Sequence, residues 1–295
     1  INAIRSGSAD LVLVVGAEKM TSNTTEQVTR ALAGAGYQNN PAEAGLSFPQ
    51  LFGIAAREYT KRYHDPLPAM ARIAVKNHRN ALDNPLAQMQ REVDFDFCDT
   101  VSDKNPLIAS PLRLTDCSLI SDGAAAVILA SPERAKSFAR QVSFRAHTHV
   151  SDFLPLDKRD FLAFEGPELA IRSAYQEAGI SHQDLDFAEV HDCFTIAELL
   201  VYEAMGLAPK GQGERALLDG TVTREGRLPV NLSGGLKAKG HPVGATGVSM
   251  HALAFRQLTG TAGGIQREGA ELGMVFNMGG AAVANHVSIL EATRA

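Results

Sequence analysis

Cysteine is scarce in this chain. There are three in 295 residues, Cys98, Cys117 and Cys193, with no C-x-x-C spacing. That excludes a disulfide framework and a cysteine-based zinc site, and it fits a reducing, cytoplasmic compartment. Long apolar runs are also missing: nothing approaches the roughly 20 residues of a helical membrane span. Positive charge is not in excess, since 28 Lys and Arg against 33 Asp and Glu give a net charge of −5. This argues against a nucleic-acid partner and still leaves room for local basic patches toward an anionic ligand. His64, His78, His147, His149, His182, His251 and His286 show no metal-ligand spacing with carboxylates or cysteines, so no metal is expected. The remainder, 45% hydrophobic and 21% charged, is that of a globular chain with one large or two medium domains.

The richest stretch is NLSGGLKAKGHPVGATG, residues 231–247, which holds five glycines: Gly234, Gly235, Gly240, Gly244 and Gly247. Glycine lets backbone approach closely and reach positive φ. His241 sits among them beside Pro242, a ring on a tight loop, and Met250, Leu253, Ala254 and Leu258 follow at helical spacing. A second feature is EVHDCFT, residues 189–195. Leu185, Phe187, Ala188 and Val190, leading up to HDCF, read as a buried strand, and Ala197, Leu200, Val201 and Ala204 after it as a helix face. His191, Asp192 and Cys193 are therefore expected at a strand-to-helix turn, where open α/β sheets bind ligands. The third is FNMGGAA, residues 276–282, where Gly279 and Gly280 offer bare backbone N–H groups of the kind that form oxyanion holes.

These three segments together resemble the thiolases, closest to the sterol-carrier-protein type and acetyl-CoA acetyltransferase-like. GHPVGATG looks like the family's catalytic histidine loop. HDCF resembles the sterol-carrier form of a loop that reads Asn-Glu-Ala-Phe in other thiolases. NMGG matches the third loop, with Asn277 where other thiolases place a catalytic cysteine. The likeness runs nearly end to end, from SADLVLVVGAEKMTS to NHVSIL. It implies an α/β thiolase fold, layered αβαβα, with two similar halves and an inserted loop domain. The expected units are 1–40 with 111–140 (first half, incomplete), 41–110 (loop domain, rich in proline and containing a helix at 69–82) and 141–295 (second half). The strands expected at 8–20 and 121–131 read as buried. The family's nucleophilic cysteine lies upstream of the segment that resembles Ile1 onward, so the chain reads as a fragment without it.

The resemblance implies Claisen condensation of acyl-CoA molecules, or the thiolytic reverse. Substrates are then coenzyme A thioesters, with no tightly bound cofactor, and the assembly a homodimer or homotetramer. His241 is expected to activate the missing thiol, against the plainer reading of a core histidine. Cys193 is expected to move the α-proton, against that of an inert buried thiol. His191 is expected to donate to an oxyanion, directly or through a water, and Gly279 to give an N–H to a second hole. Asp192 is expected to orient the turn, and Asn277 to be a spacer or a loop-fixing hydrogen bonder. Ser118 matches a serine that contacts the pantetheine arm. Phe194 is expected either to pack on that arm or simply in the core. Cys98 and Cys117 are expected to be unreactive. Two rival readings stand beside this one: a non-catalytic acyl-CoA-binding or partner subunit, and a retro-aldolase acting on a CoA-linked side chain.

Overall fold

The computed structural model describes residues 1–41 and 43–293, so the last two residues of the 141–295 unit lie outside the described residues, as does Ala42 within 41–110. In chain order the helices are α1 (Asn2–Arg5), α2 (Thr25–Ala33), α3 (Phe48–Arg62), α4 (Leu67–Ala81), α5 (Phe95–Asp99), α6 (Pro132–Ala135), α7 (Glu165–Ala178), α8 (Thr195–Ala204), α9 (Arg215–Leu218), α10 (Gly235–Ala238) and α11 (Thr246–Leu258). The strands are β1 (Leu11–Glu18), β2 (Leu107–Ala109), β3 (Leu112–Arg113), β4 (Gly123–Ala130), β5 (Val142–Ser151), β6 (Phe187–Val190), β7 (Leu272–Gly279) and β8 (Ala284–Ala292). No helix among the described residues is long and apolar enough to cross a membrane.

Local chemistry explains several boundaries. Ser47 and Gln50 form a reciprocal capping box at the start of α3, with Pro49 in its first turn. Ser131 caps α6, and Pro132 opens it as its position predicts. Gly179 ends α7 in the left-handed conformation at φ 65°, where glycine carries no Cβ penalty. One face of α4, formed by Ile73, Ala74, Asn77 and Ala81, is fully buried. α8 differs from the amphipathic helix its spacing suggests, because all ten of its residues are buried. α3, α4 and α7 pack around it, so even Glu198 and Glu203 face protein.

β5, β8, β7 and β6 form a four-stranded sheet in that order, with β6 parallel to β7 and the other pairs antiparallel. β1 and β4 pair antiparallel as a separate two-stranded sheet. α11 packs on both sheets, and α7 packs on β5 and β8 of the larger one, so helices and sheets stack in layers. β1 and β4 form where expected, but only one face of each is covered. Gly16 lies against the Gly244–Ala245 backbone, so closely that a Cβ there would stand 2.5 Å from Gly244 O. On the other face Leu13 and Val15 are 65% and 61% exposed, and Leu13 sits opposite Ile128, also exposed. The physical reason is that two strands give α11 only one face to cover. Apolar stripes of this kind drive association, so residues 1–295 expressed alone are expected to self-associate as concentration rises. A single monomeric species at every concentration in sedimentation velocity would contradict this.

Candidate active site

β6 runs through the core beside β7, with Val190 opposite Phe276. Continuing that register by one residue sets His191, at the turn, beside Asn277 on β7. His191 Nδ1 and Asn277 Oδ1 are 2.7 Å apart. Assigned from this pairing, Nδ1 carries the proton and donates it, which leaves Nε2 as an acceptor in the neutral ring. Burial holds His191 down at about 4, with the charge of Lys239 acting the same way and the Asn277 hydrogen bond opposing. The ring is therefore neutral near pH 7. Direct donation from His191 Nε2 to an oxyanion is accordingly disfavoured, and holding a water is the alternative the ring can perform.

His241 is fixed by two hydrogen bonds, one from its backbone and one from its ring. Its backbone N donates to Ser121 Oγ at 2.7 Å. Its Nδ1 lies 2.7 Å from Thr246 Oγ1. Thr246 Oγ1 donates its own hydrogen to Pro242 O at 3.0 Å, so it accepts from His241 Nδ1–H. The proton of the neutral ring is thereby placed on Nδ1, and the Nε2 lone pair is left for proton abstraction. Burial, then His191, then Lys239 push the His241 imidazolium form well below the usual histidine range. Lys239 itself is buried, and its Nζ donates to Gly240 O at 3.4 Å and Ser249 Oγ at 3.3 Å. The His191 and His241 rings stand edge to face, with centroids 5.0 Å apart and planes at 89°.

Asp192 ties the two histidine segments together. Its carboxylate accepts from Leu236 N at 2.6 Å and Lys237 N at 3.2 Å, both at the start of α10 and a few residues before His241. Gly235 allows that approach: it adopts φ +61°, and a Cβ there would stand 2.2 Å from Asp192 Oδ2. Burial and the neighbouring Glu198 carboxylate push the Asp192 carboxyl upward.

Cys193 follows on the same turn and is buried. Desolvation, reinforced by Asp192, raises its thiol well above the ordinary range, so it rests protonated. Its carbonyl accepts from Ser118 N at 2.9 Å, which sets half-buried Ser118 alongside the turn. Phe194 turns into the core and stacks on Phe52 at 4.7 Å. Burial pushes the Cys98 and Cys117 thiols up to about 11 and about 12. Gly279 ends β7 two residues past Asn277, hence on the same face of the strand, and is exposed. The chain then passes through left-handed Gly280, Ala281 and Ala282. That turn is held by Arg159 Nη2 to Ala281 O at 2.7 Å and Asn285 Nδ2 to Ala282 O at 2.9 Å.

The structure thus brings His191, His241 and Asn277 together and joins Ser118 to Cys193 through the backbone. It directs Phe194 away into the core. A groove of about 980 Å³ between α2, α3 and β2 contains none of these residues. Among the described residues no group of three or more His, Cys, Asp or Glu is placed to hold a metal ion. Thr246 and Ser121 were not singled out in the sequence; the one signal was Thr246's place in the glycine loop of His241.

The assigned Asn277–His191 hydrogen bond is testable. Asn277→Asp puts a carboxylate against Nδ1–H. The His191 titration midpoint, about 4 in the native chain, should rise by roughly 1–3 pH units, the usual effect of an adjacent opposite charge. NMR of ring-labelled histidine reads it, and an unmoved midpoint would reject the pairing.

With fold and site described, comparison with known proteins gives a consistent result. Residues 1–133 match the family described as "Thiolase, N-terminal domain", and residues 147–292 match "Thiolase C-terminal domain-like". The chain is 42% identical over 282 residues to the acetyl-CoA acetyltransferase of Methanothermobacter thermautotrophicus, spanning 95% of this chain and 72% of that protein. It is 36% identical over 304 residues to sterol carrier protein 2 of Oryctolagus cuniculus, spanning 95% of this chain and 53%, about half, of that relative. A solved structure described as "Ltp2-ChsH2(DUF35) aldolase" superposes with a TM-score of 0.83 at 24% identity, covering 100% of this chain and 75% of that one; at that identity the likeness is one of fold. The chain belongs to the thiolase family and has its α/β fold.

Proposed function

We propose that this chain carries the acid–base half of an acyltransferase acting on coenzyme A thioesters, by thiolytic cleavage of 3-ketoacyl-CoA or by condensation. The observation that carries this reading is the perpendicular His191–His241 pair at 5.0 Å, with protonated Cys193 on the same turn as His191. His241 Nε2 takes the proton of the acyl-accepting thiol. On this reading that thiol is neither Cys98 nor Cys117, whose buried thiols are pushed up to about 11 and about 12, nor Cys193, which supplies the acid. In the cleavage direction the thiolate attacks the 3-keto carbon and the bond between C2 and C3 breaks. The Cys193 thiol then protonates the departing α-carbon. His241 passes the proton it took on to the Cys193 thiolate and then deprotonates free coenzyme A, which takes the acyl group from the enzyme, and the released enzyme thiolate recovers a proton from His241. His191 holds a water toward one thioester oxygen, and the Gly279 N–H serves a second oxyanion. Ser118 lies beside the turn where the pantetheine arm would pass.

The relatives named acetyl-CoA acetyltransferase support the substrate class. A partner-subunit role is less well supported, since such a chain has no need of a histidine whose tautomer is set by two successive hydrogen bonds. The test is a thiolysis and condensation assay of the full-length gene product with acetoacetyl-CoA and labelled acetyl-CoA. Absence of both activities, with acyl-CoA still bound, would leave the partner-subunit reading.

A further inference from the structure

One buried polar cluster is unused by the chemistry above, yet it joins three separate segments. Asn77 lies on α4, within the 41–110 stretch, and is 0% exposed. Its Nδ2 donates to Asp192 Oδ2 at 2.8 Å and to Glu198 Oε2 at 2.6 Å. Its Oδ1 accepts from Lys76 Nζ at 2.6 Å, which fixes the amide's orientation. Glu198, also fully buried, takes Lys76 Nζ at 2.9 Å, Asn231 Nδ2 at 3.1 Å and the Tyr202 hydroxyl. Asn231 Oδ1 in turn accepts from Val190 N, the last residue of β6, at 2.8 Å.

The charges explain why an amide stands at this point. Asp192 and Glu198 approach the same nitrogen from two elements, the turn and α8. Lys76 makes its ion pair with Glu198. Asp192 receives its remaining hydrogen bonds from Leu236 N and Lys237 N. The two hydrogens of Asn77 Nδ2 are therefore what lets two buried carboxylates sit close together. Removing them leaves an under-bonded buried charge beside a like charge, a costly arrangement that the turn can relieve only by moving.

We infer that Asn77 is a positioning residue: from α4 it holds Asp192, and through it the turn bearing His191 and Cys193, in line with the loop bearing His241. This rests on the catalytic reading above. A misplacement of about 1 Å at reacting groups can lower a rate roughly 10²-fold. Asn77→Ala in the full-length protein is accordingly expected to lower kcat by about that factor with KM for acyl-CoA nearly unchanged, because Asn77 reaches the site only through Asp192. Tyr59→Phe is the control. It removes another buried hydrogen bond onto α8, Tyr59 OH to Glu203 Oε1 at 2.7 Å, and should lower stability while preserving kcat.

A second readout does not depend on activity. Labelling by iodoacetamide, followed peptide by peptide by mass spectrometry, should reach Cys193 about tenfold faster in Asn77→Ala than in wild type, as a turn that opens more often requires. Cys98 and Cys117 serve as internal references. An unchanged kcat, or an equal loss in Tyr59→Phe, overturns the inference. If the wild-type protein transfers no acyl group, the catalytic reading fails and the labelling decides this one: native-like labelling of Cys193 overturns it, faster labelling supports it. Should Asn77→Ala not fold, Asn77→Ser, with one donor hydrogen in place of two, is judged by the same outcomes.

Discussion

His241→Ala in the full-length protein should slow transfer of a labelled acyl group onto the enzyme by something on the order of 10²–10⁴-fold, the usual worth of a positioned acid–base group. The hydrogen bonds Nδ1 to Thr246 Oγ1 and Thr246 Oγ1 to Pro242 O leave Nε2 as the basic atom. The same burial that holds the ring neutral gives a pH dependence with a definite sign. The base form is lost only as pH falls through the depressed His241 midpoint, which lies well below 6.5. Acylation should therefore hold steady on going from neutral to mildly acidic pH. The measurement is covalent label on the protein against time, by rapid quench, at several pH values. A variant that acylates at the wild-type rate would remove His241 from the mechanism.

Cys193→Ala should split the reaction. The variant is expected to accept an acyl group at a near-normal rate yet lose carbon–carbon bond formation and cleavage, again by about 10²–10⁴-fold. The native thiol is buried and held protonated, so it is set to donate in the cleavage direction. In the condensation direction it must first give up that proton. Covalent label and condensation product are quantified separately in the same samples. Normal condensation by Cys193→Ala would show that Cys193 is a packed thiol and nothing more.

Much of this arrangement was readable from residue order. The strand–HDCF–helix unit was legible because β6 and α8 each carry a short local pattern and the polar residues interrupt it. The glycine loop around His241 was legible because five glycines in one short stretch have few other uses. The start of α6 at Pro132 and the end of α7 at Gly179 obey capping rules that act over four or five residues. The role of Asn77 was not legible. Its signal, a polar residue on the otherwise apolar α4 face of Ile73, Ala74 and Ala81, said only that something buried must satisfy it. Asp192 and Glu198, its partners, lie more than a hundred residues away in the chain.

The open faces of β1 and β4 were misread for a related reason. Their continuous apolar runs, LVLVV and AAAVIL, suit burial on both sides, but whether a strand is covered depends on which layers arrive from elsewhere. By itself, then, the sequence determined the element types, the family and the residues able to do acid–base chemistry, because these follow from local patterns and side-chain pKa classes. Only the tertiary structure decided that His191 donates to Asn277, that the ring proton of His241 sits on Nδ1 and leaves Nε2 unprotonated, and that Phe194 faces the core. Hydrogen-bond partners and desolvation are set by neighbours in space, and neither is encoded in spacing along the chain.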